Sequence, residues 1–188
     1  MIFLTNVETI TKKLHSHISQ LSIILFSVFA ILMLIDFSYG FLSLIPFKTI
    51  TDIGKSAGSA ALLVGGLACL YYVLREAYIR LKRKNIAFSA ELENGFKKCI
   101  QIFRHIHPIC GVLVFILILS HAYILWYVTG LADHLPLYSG LFALFSLGIV
   151  TALGISIVRM PSFLQLRKYH RLLASVLVAF VMLHLIFV

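Results

Sequence analysis

The chain has 188 residues, 61% of them hydrophobic and 12% charged, with a mean hydropathy of +1.01. Soluble domains carry about 25% charged residues, so this composition excludes an ordinary water-soluble globular domain. The net charge of +9 comes from sixteen basic and seven acidic residues; the basic residues fall between apolar runs, as membrane topology requires, and no stripe of arginine and aromatic residues offers a nucleic-acid surface.

Residues 1–19 read as a polar cytoplasmic lead-in with Lys12, Lys13, His15 and His17. They lack the short basic start and small-residue cleavage site of a secretory signal, so the first apolar run is expected to stay as a span. Apolar stretches near the ~20 residues that cross a bilayer predict five spans, at 20–44, 57–79, 105–128, 140–158 and 166–188. Asp36 falls late in the first, close to a surface, where it is solvated or paired. A short polar loop is expected at 48–59. Its Gly54-Lys55-Ser56 copies the tail of a phosphate-binding loop, but Thr49 stands where the leading glycine is required, and the match is discarded. In the second span Gly58, Gly65, Gly66 and Ala68 suit close helix contact.

The longest polar segment, 75–104, bears eight basic residues. Its stretch GFKKCIQIFRHI has helical apolar spacing and is expected to lead into the third span as an interfacial turn or two. Pro108 is tolerable in the first turns of that span. The loop TGLADHLPLYSG has no Lys or Arg, and RMPSFLQLRKYHR joins spans four and five. Counted over the connections, fourteen basic residues lie on one side and only Lys48 and Lys55 on the other. The positive-inside bias then puts the N-terminus in the cytoplasm, in an all-α integral membrane protein, and makes spans three and five parallel. Cys69, Cys99 and Cys110 imply no disulfide frame.

Spans three and five carry the same marks. His107 and His121 close the run HPICGVLVFILILSH, and His170 and His184 close HRLLASVLVAFVMLH, thirteen residues apart in each case. A step of fourteen advances ~21 Å along a helix and returns to within ~40° of whole turns. Each helix therefore shows two imidazoles on one face. Topology sets His107 level with His170 on the inner side and His121 level with His184 on the outer. Ionisable groups inside a membrane are costly and point to function. Neutral imidazole is a good iron ligand, and a helical bundle can enclose haem, so the four residues predict two haem b groups, each clamped by one histidine from each helix. His105 lies sixteen residues from His121, about 160° round the helix, and faces headgroups or a propionate instead. Gly111, one turn from His107, leaves room for a porphyrin. Arg104, Arg167, Lys168 and Arg171 cluster at the inner rim, where Arg104 and Arg171 are candidate propionate partners. His134 is read as a surface residue.

These two spans, each with H-x13-H and a basic inner loop ahead of it, resemble the transmembrane domain of the ferric reductase and NADPH oxidase superfamily. The resemblance covers residues 20–188, and only the four histidines are specific. It implies that His107 and His170 hold an inner haem and His121 and His184 an outer one. Family members usually have a sixth span and many carry a flavin and nicotinamide module. Here the chain stops four residues after His184, so the expected fold is the six-helix form lacking or truncating its last helix.

No G-x-G-x-x-G follows a strand pattern, and no polar stretch is long enough for a nucleotide-binding domain. No Ser-His-Asp or paired-carboxylate arrangement is visible. The leading expectation is a transmembrane diheme cytochrome in the cytoplasmic membrane. It carries electrons from a flavoprotein or other donor inside to an acceptor outside, as an oxidoreductase component in contact with membrane lipid. A quinone-linked cytochrome b subunit is the alternative, and a cofactor-free scaffold or transporter subunit the third reading.

Overall fold

A computed structural model describes residues 20, 24, 27–28, 30–32, 34–36, 40–84, 88–129, 134–160 and 164–188. The lead-in 1–19, with His15 and His17, and part of the expected first span lie outside them. The chain divides into two compact units, Met1–Pro46 and Phe47–Val188.

In the first unit the described residues between 20 and 36 are helical. Gly40 takes φ +60°, a left-handed conformation that costs glycine nothing for want of a Cβ, and its N–H donates to the Asp36 carbonyl at 2.7 Å. At the head of a short 3-10 turn, Phe41–Leu44, the Leu42 N–H donates to the Asp36 carboxylate at 2.6 Å. Asp36 is thus paired, with the Leu42 backbone N–H among its partners.

The described residues of the second unit form four helices: α1, Phe47–Arg83; α2, Ala90–Thr129; α3, His134–Arg159; and α4, Leu164–Phe187. All four are long and apolar enough to cross a membrane, the mark of a multi-pass membrane protein, and the described residues contain no strand. Helix α1 packs along α2 and α3 along α4, with a lighter contact between α2 and α3. Residues such as Leu63 and Phe145, 75% and 70% exposed, turn outward as lipid-facing side chains do. On α3, Ser139, Ala143, Ser146, Leu147 and Val150 form one buried stripe at helical spacing.

Three polar segments expected between the spans are largely helical instead. Residues 48–59 lie inside α1, which starts directly after Pro46. Ile50 there is 2% exposed, and a Cβ on Gly54 would come within 2.8 Å of Ile124 Cγ2 on α2. The contact with α2 holds this polar-looking stretch in the helix. Segment 75–104 is the second case. α1 runs on to Arg83 and α2 already begins at Ala90, so residues read as an interfacial turn or two of lead-in are a continuous part of α2. With 37 and 40 residues these helices are ~55 and ~60 Å long, well beyond the ~30 Å of hydrocarbon. Their polar ends form a hairpin outside it. The loop expected ahead of the fourth span is likewise helical from His134 onward, with Pro136 in the first turn, where its missing N–H costs no bond.

One carboxylate ties the hairpin together. Glu93 on α2 accepts from Lys97 at 2.9 Å, from Lys82 of α1 at 3.0 Å and from the Tyr78 hydroxyl at 3.0 Å. Phe96 packs between Tyr78 and Phe88 at ring separations of 6.3 and 5.9 Å. The hydrogen bonds from Lys97, Lys82 and Tyr78 pull the Glu93 carboxyl from its ordinary 4.5 down to about 2, and Glu93 in turn raises the Lys97 ammonium. A carboxyl depressed by folding stabilises the hairpin fully above its unfolded pKa and loses that contribution as pH falls through the folded one. The window is therefore pH 4.5 down to 2. Carbon-13 NMR of labelled glutamate should show Glu93 titrating near 2, and Lys97→Ala should move it back toward 4.5.

Candidate functional site

The four spaced histidines meet in two pairs. His107 of α2 faces His170 of α4 with ring centroids 6.1 Å apart and planes at 86°. His121 of α2 faces His184 of α4 at 6.4 Å and 82°. Because each residue meets its counterpart at the same step along the helix, α2 and α4 run parallel. The two helices do not pack on each other as α1 does on α2. The imidazoles reach across the slot between them.

Each ring is held from behind by a neighbouring helix. His107 Nδ1 lies 3.0 Å from the Ala68 carbonyl of α1, and His121 Nδ1 lies 2.8 Å from the Gly54 carbonyl. His170 Nδ1 lies 3.0 Å from the Val150 carbonyl of α3. At His184 the acceptor is Ser139 Oγ at 3.0 Å, whose own proton goes to the Pro136 carbonyl at 3.0 Å. A carbonyl oxygen can only accept, so Nδ1 carries the proton and the lone pair of the neutral ring sits on Nε2. At the fourth ring a hydroxyl that gives its proton to the Pro136 carbonyl accepts from Nδ1, which favours the same tautomer.

Two consequences follow. Paired imidazoles that both lack a proton on Nε2 cannot hydrogen-bond to one another, so the facing pairs are not a histidine–histidine bridge. In addition, no side-chain nitrogen or oxygen among the described residues is both buried and without a partner. An Nε2 without a partner on any of these rings therefore keeps some accessible surface.

The supports repeat with the same period as the histidines. Gly54 and Ala68 are fourteen residues apart on α1, as are Pro136 and Val150 on α3. A helical side chain leans toward the N-terminus, so residue i+4 stands over the carbonyl of residue i. That position is glycine in three of the four cases. A Cβ on Gly58 would lie 2.8 Å from His121 Nδ1, on Gly140 3.1 Å from His184 Cε1, and on Gly154 3.4 Å from His170 Cε1. Beside His107 the fourth position is Tyr72, and the neighbouring Tyr71 ring stands 5.8 Å from that imidazole.

Gly111 borders open space, with nothing within 4 Å of a Cβ built on it. Arg104 is exposed and His105 half-buried. Arg171 is exposed, its Nε donating to the Arg167 carbonyl at 3.2 Å. The side chain of His134 lies outside the described residues.

The arrangement suits haem on geometric grounds. Two metal–nitrogen bonds of ~2.0 Å in line, with ~1.1 Å from each nitrogen to its ring centre, set trans imidazole centroids ~6.2 Å apart. The observed 6.1 and 6.4 Å bracket that value. Among the described residues no group of three or more His, Cys, Asp or Glu side chains could hold a bare metal ion. A porphyrin asks for just two protein ligands per iron. An Nδ1–H donated to a carbonyl, with Nε2 free, is also the usual outer support of a ligating histidine.

No family model matches this chain, and it matches no curated protein and no solved structure.

Sequence reading marks Gly58 and Ala68 only as small residues suited to close helix contact, and it assigns no supporting role to Gly54, Pro136, Ser139, Gly140, Val150 or Gly154. A signal for two of them was present, since Gly140 and Gly154 are themselves fourteen apart.

Proposed function

We propose that the chain is a transmembrane diheme b-type cytochrome that conducts electrons between a donor on the side of its basic segments, placed in the cytoplasm, and an acceptor on the other. The observation that carries this reading is the pair of facing imidazole couples, each ring locked as the tautomer that leaves Nε2 for a metal. His107 and His170 hold one haem, and His121 and His184 the other, ~21 Å further along the helices. Haem bound there supplies reversible one-electron chemistry at two depths of the membrane.

The protein's part is positional and electrostatic. The carbonyls of Ala68, Gly54 and Val150, and Ser139 with Pro136, keep each ring aimed and raise its basicity as a donor. With two histidines offered to each haem, the sites would favour electron transfer over ligand binding at the metal. The proposal also places the chain with the ferric reductase and NADPH oxidase superfamily it resembles, acting with a separate flavin- and nicotinamide-bearing partner.

The test is a reduced-minus-oxidised spectrum of the purified chain with haem counted against protein. Two haems per chain with a b-type α-band are expected. Purified, folded protein without Soret absorption would sink the proposal.

A further inference from the structure

One face of α4 is not used by the histidine pairs. Lys168, Arg171, Leu172 and Ser175 recur at i, i+3, i+4 and i+7, a single helical face turned about 150° from His170. With Tyr72 of α1 they line a groove of about 260 Å³. α1 and α4 do not pack closely, so this groove lies in the gap between them.

The lining decides what the groove can accept. Lysine and arginine only donate hydrogen bonds. The Ser175 hydroxyl gives its proton to the Arg171 carbonyl at 3.1 Å, and among the described residues Arg171 spends only Nε, on the Arg167 carbonyl. The remaining guanidinium N–H groups, the Lys168 ammonium and the Tyr72 hydroxyl are available as donors. Among the described residues no carboxylate lines the groove, so two positive charges stand without an opposite charge among those walls. A neutral ligand such as a quinone would leave them so. A phosphate satisfies both.

Size and setting choose the source of that phosphate. A groove of about 260 Å³ has room for a headgroup and not merely a lone small ion. Its walls are open to the surroundings, with Leu172 63% and Tyr72 47% exposed, so an acyl chain can leave along the apolar flank. Tyrosine with basic residues at the end of a span is the composition of a membrane interface, and basic pockets between spans bind anionic headgroups. We infer that the groove formed by Tyr72, Lys168, Arg171 and Ser175 binds the phosphate headgroup of an anionic membrane phospholipid.

The inference does not depend on haem, and its readout is lipid retention. The full chain is placed in nanodiscs of phosphatidylcholine with a minor fraction of phosphatidylglycerol, and retained lipid is counted by native mass spectrometry. Lys168→Gln/Arg171→Gln should lower phosphatidylglycerol retention about 30-fold, at the usual contribution of two surface cations. Lys97→Gln/Lys98→Gln removes equal charge from the hairpin and should leave retention unchanged. Equal loss in both pairs, or no loss in the first, overturns the inference. Tyr72→Ala opens the groove wall without changing charge and should weaken retention several-fold. It keeps the inference testable if the glutamine pair fails to fold, and unchanged retention counts against the site. In phosphatidylcholine discs, saturable binding of inorganic phosphate would reassign the groove to free phosphate; none is expected.

Discussion

His121→Ala is expected to release one haem and keep the other. Haem per chain falls from two to one and the reduced α-band halves, while helical circular dichroism is unchanged. The fold survives because the substitution removes a single hydrogen bond, Nδ1 to the Gly54 carbonyl, worth about 1 kcal/mol net. His184→Ala should give the same product, since His184 is the ring facing His121 at 6.4 Å. Joining the two changes should cost nothing further, because residues that act as one unit are not additive. His121→Ala/His170→Ala strikes both levels and should leave no haem. A single substitution that empties both levels, or neither, refutes two separately held haems.

The parts of this structure differ in how readably they were written. The histidines stood out because fourteen residues nearly close a whole number of helical turns, so two polar marks in an apolar run declare a shared face. Their supports are mainly backbone carbonyls, and a carbonyl has no residue type to read. Val150 looks like an ordinary span residue, and Ala68 reads only as a small residue suited to close helix contact. Gly54 sat in a stretch with Asp52 and Lys55 that resembles a loop, although its backbone is pressed against Ile124. Segment 75–104 misled for a related reason. Hydropathy reports the solvent around a segment and not its backbone, so a helix leaving the membrane looks like a loop. Tyr78, Lys82, Glu93 and Lys97 hold such a helical pair together in water.

A glycine series separates the haem reading from plain helix packing. Gly58→Ala puts a methyl 2.8 Å from His121 Nδ1 and 2.9 Å from Cε1, closer than real Cβ contacts come. The clash has two ways out. Helix α1 can move off α2, but Gly54 already brings the two together four residues earlier, at Ile124 and Leu125. The imidazole can swing instead, which breaks its bond to the Gly54 carbonyl and turns Nε2 from the slot. The second route is cheaper, because a side chain rotates more easily than two packed helices part. Alanine gains ~1 kcal/mol of helix propensity over glycine, and overpacking costs about 1–3 kcal/mol, so stability changes little. Haem held by His121 and His184 should nonetheless be lost, with the His107/His170 haem retained. Gly66→Ala, with nothing within 4 Å, should leave both. Gly111→Ala discriminates further. Its Cβ would meet no protein atom within 4 Å, so packing alone makes the change neutral. If a porphyrin fills the slot one turn from His107, that same methyl lowers haem retention at the His107/His170 level. Full occupancy in Gly58→Ala would show that the ring does not need its shelf, and full occupancy in Gly111→Ala would remove that glycine from the haem's surroundings.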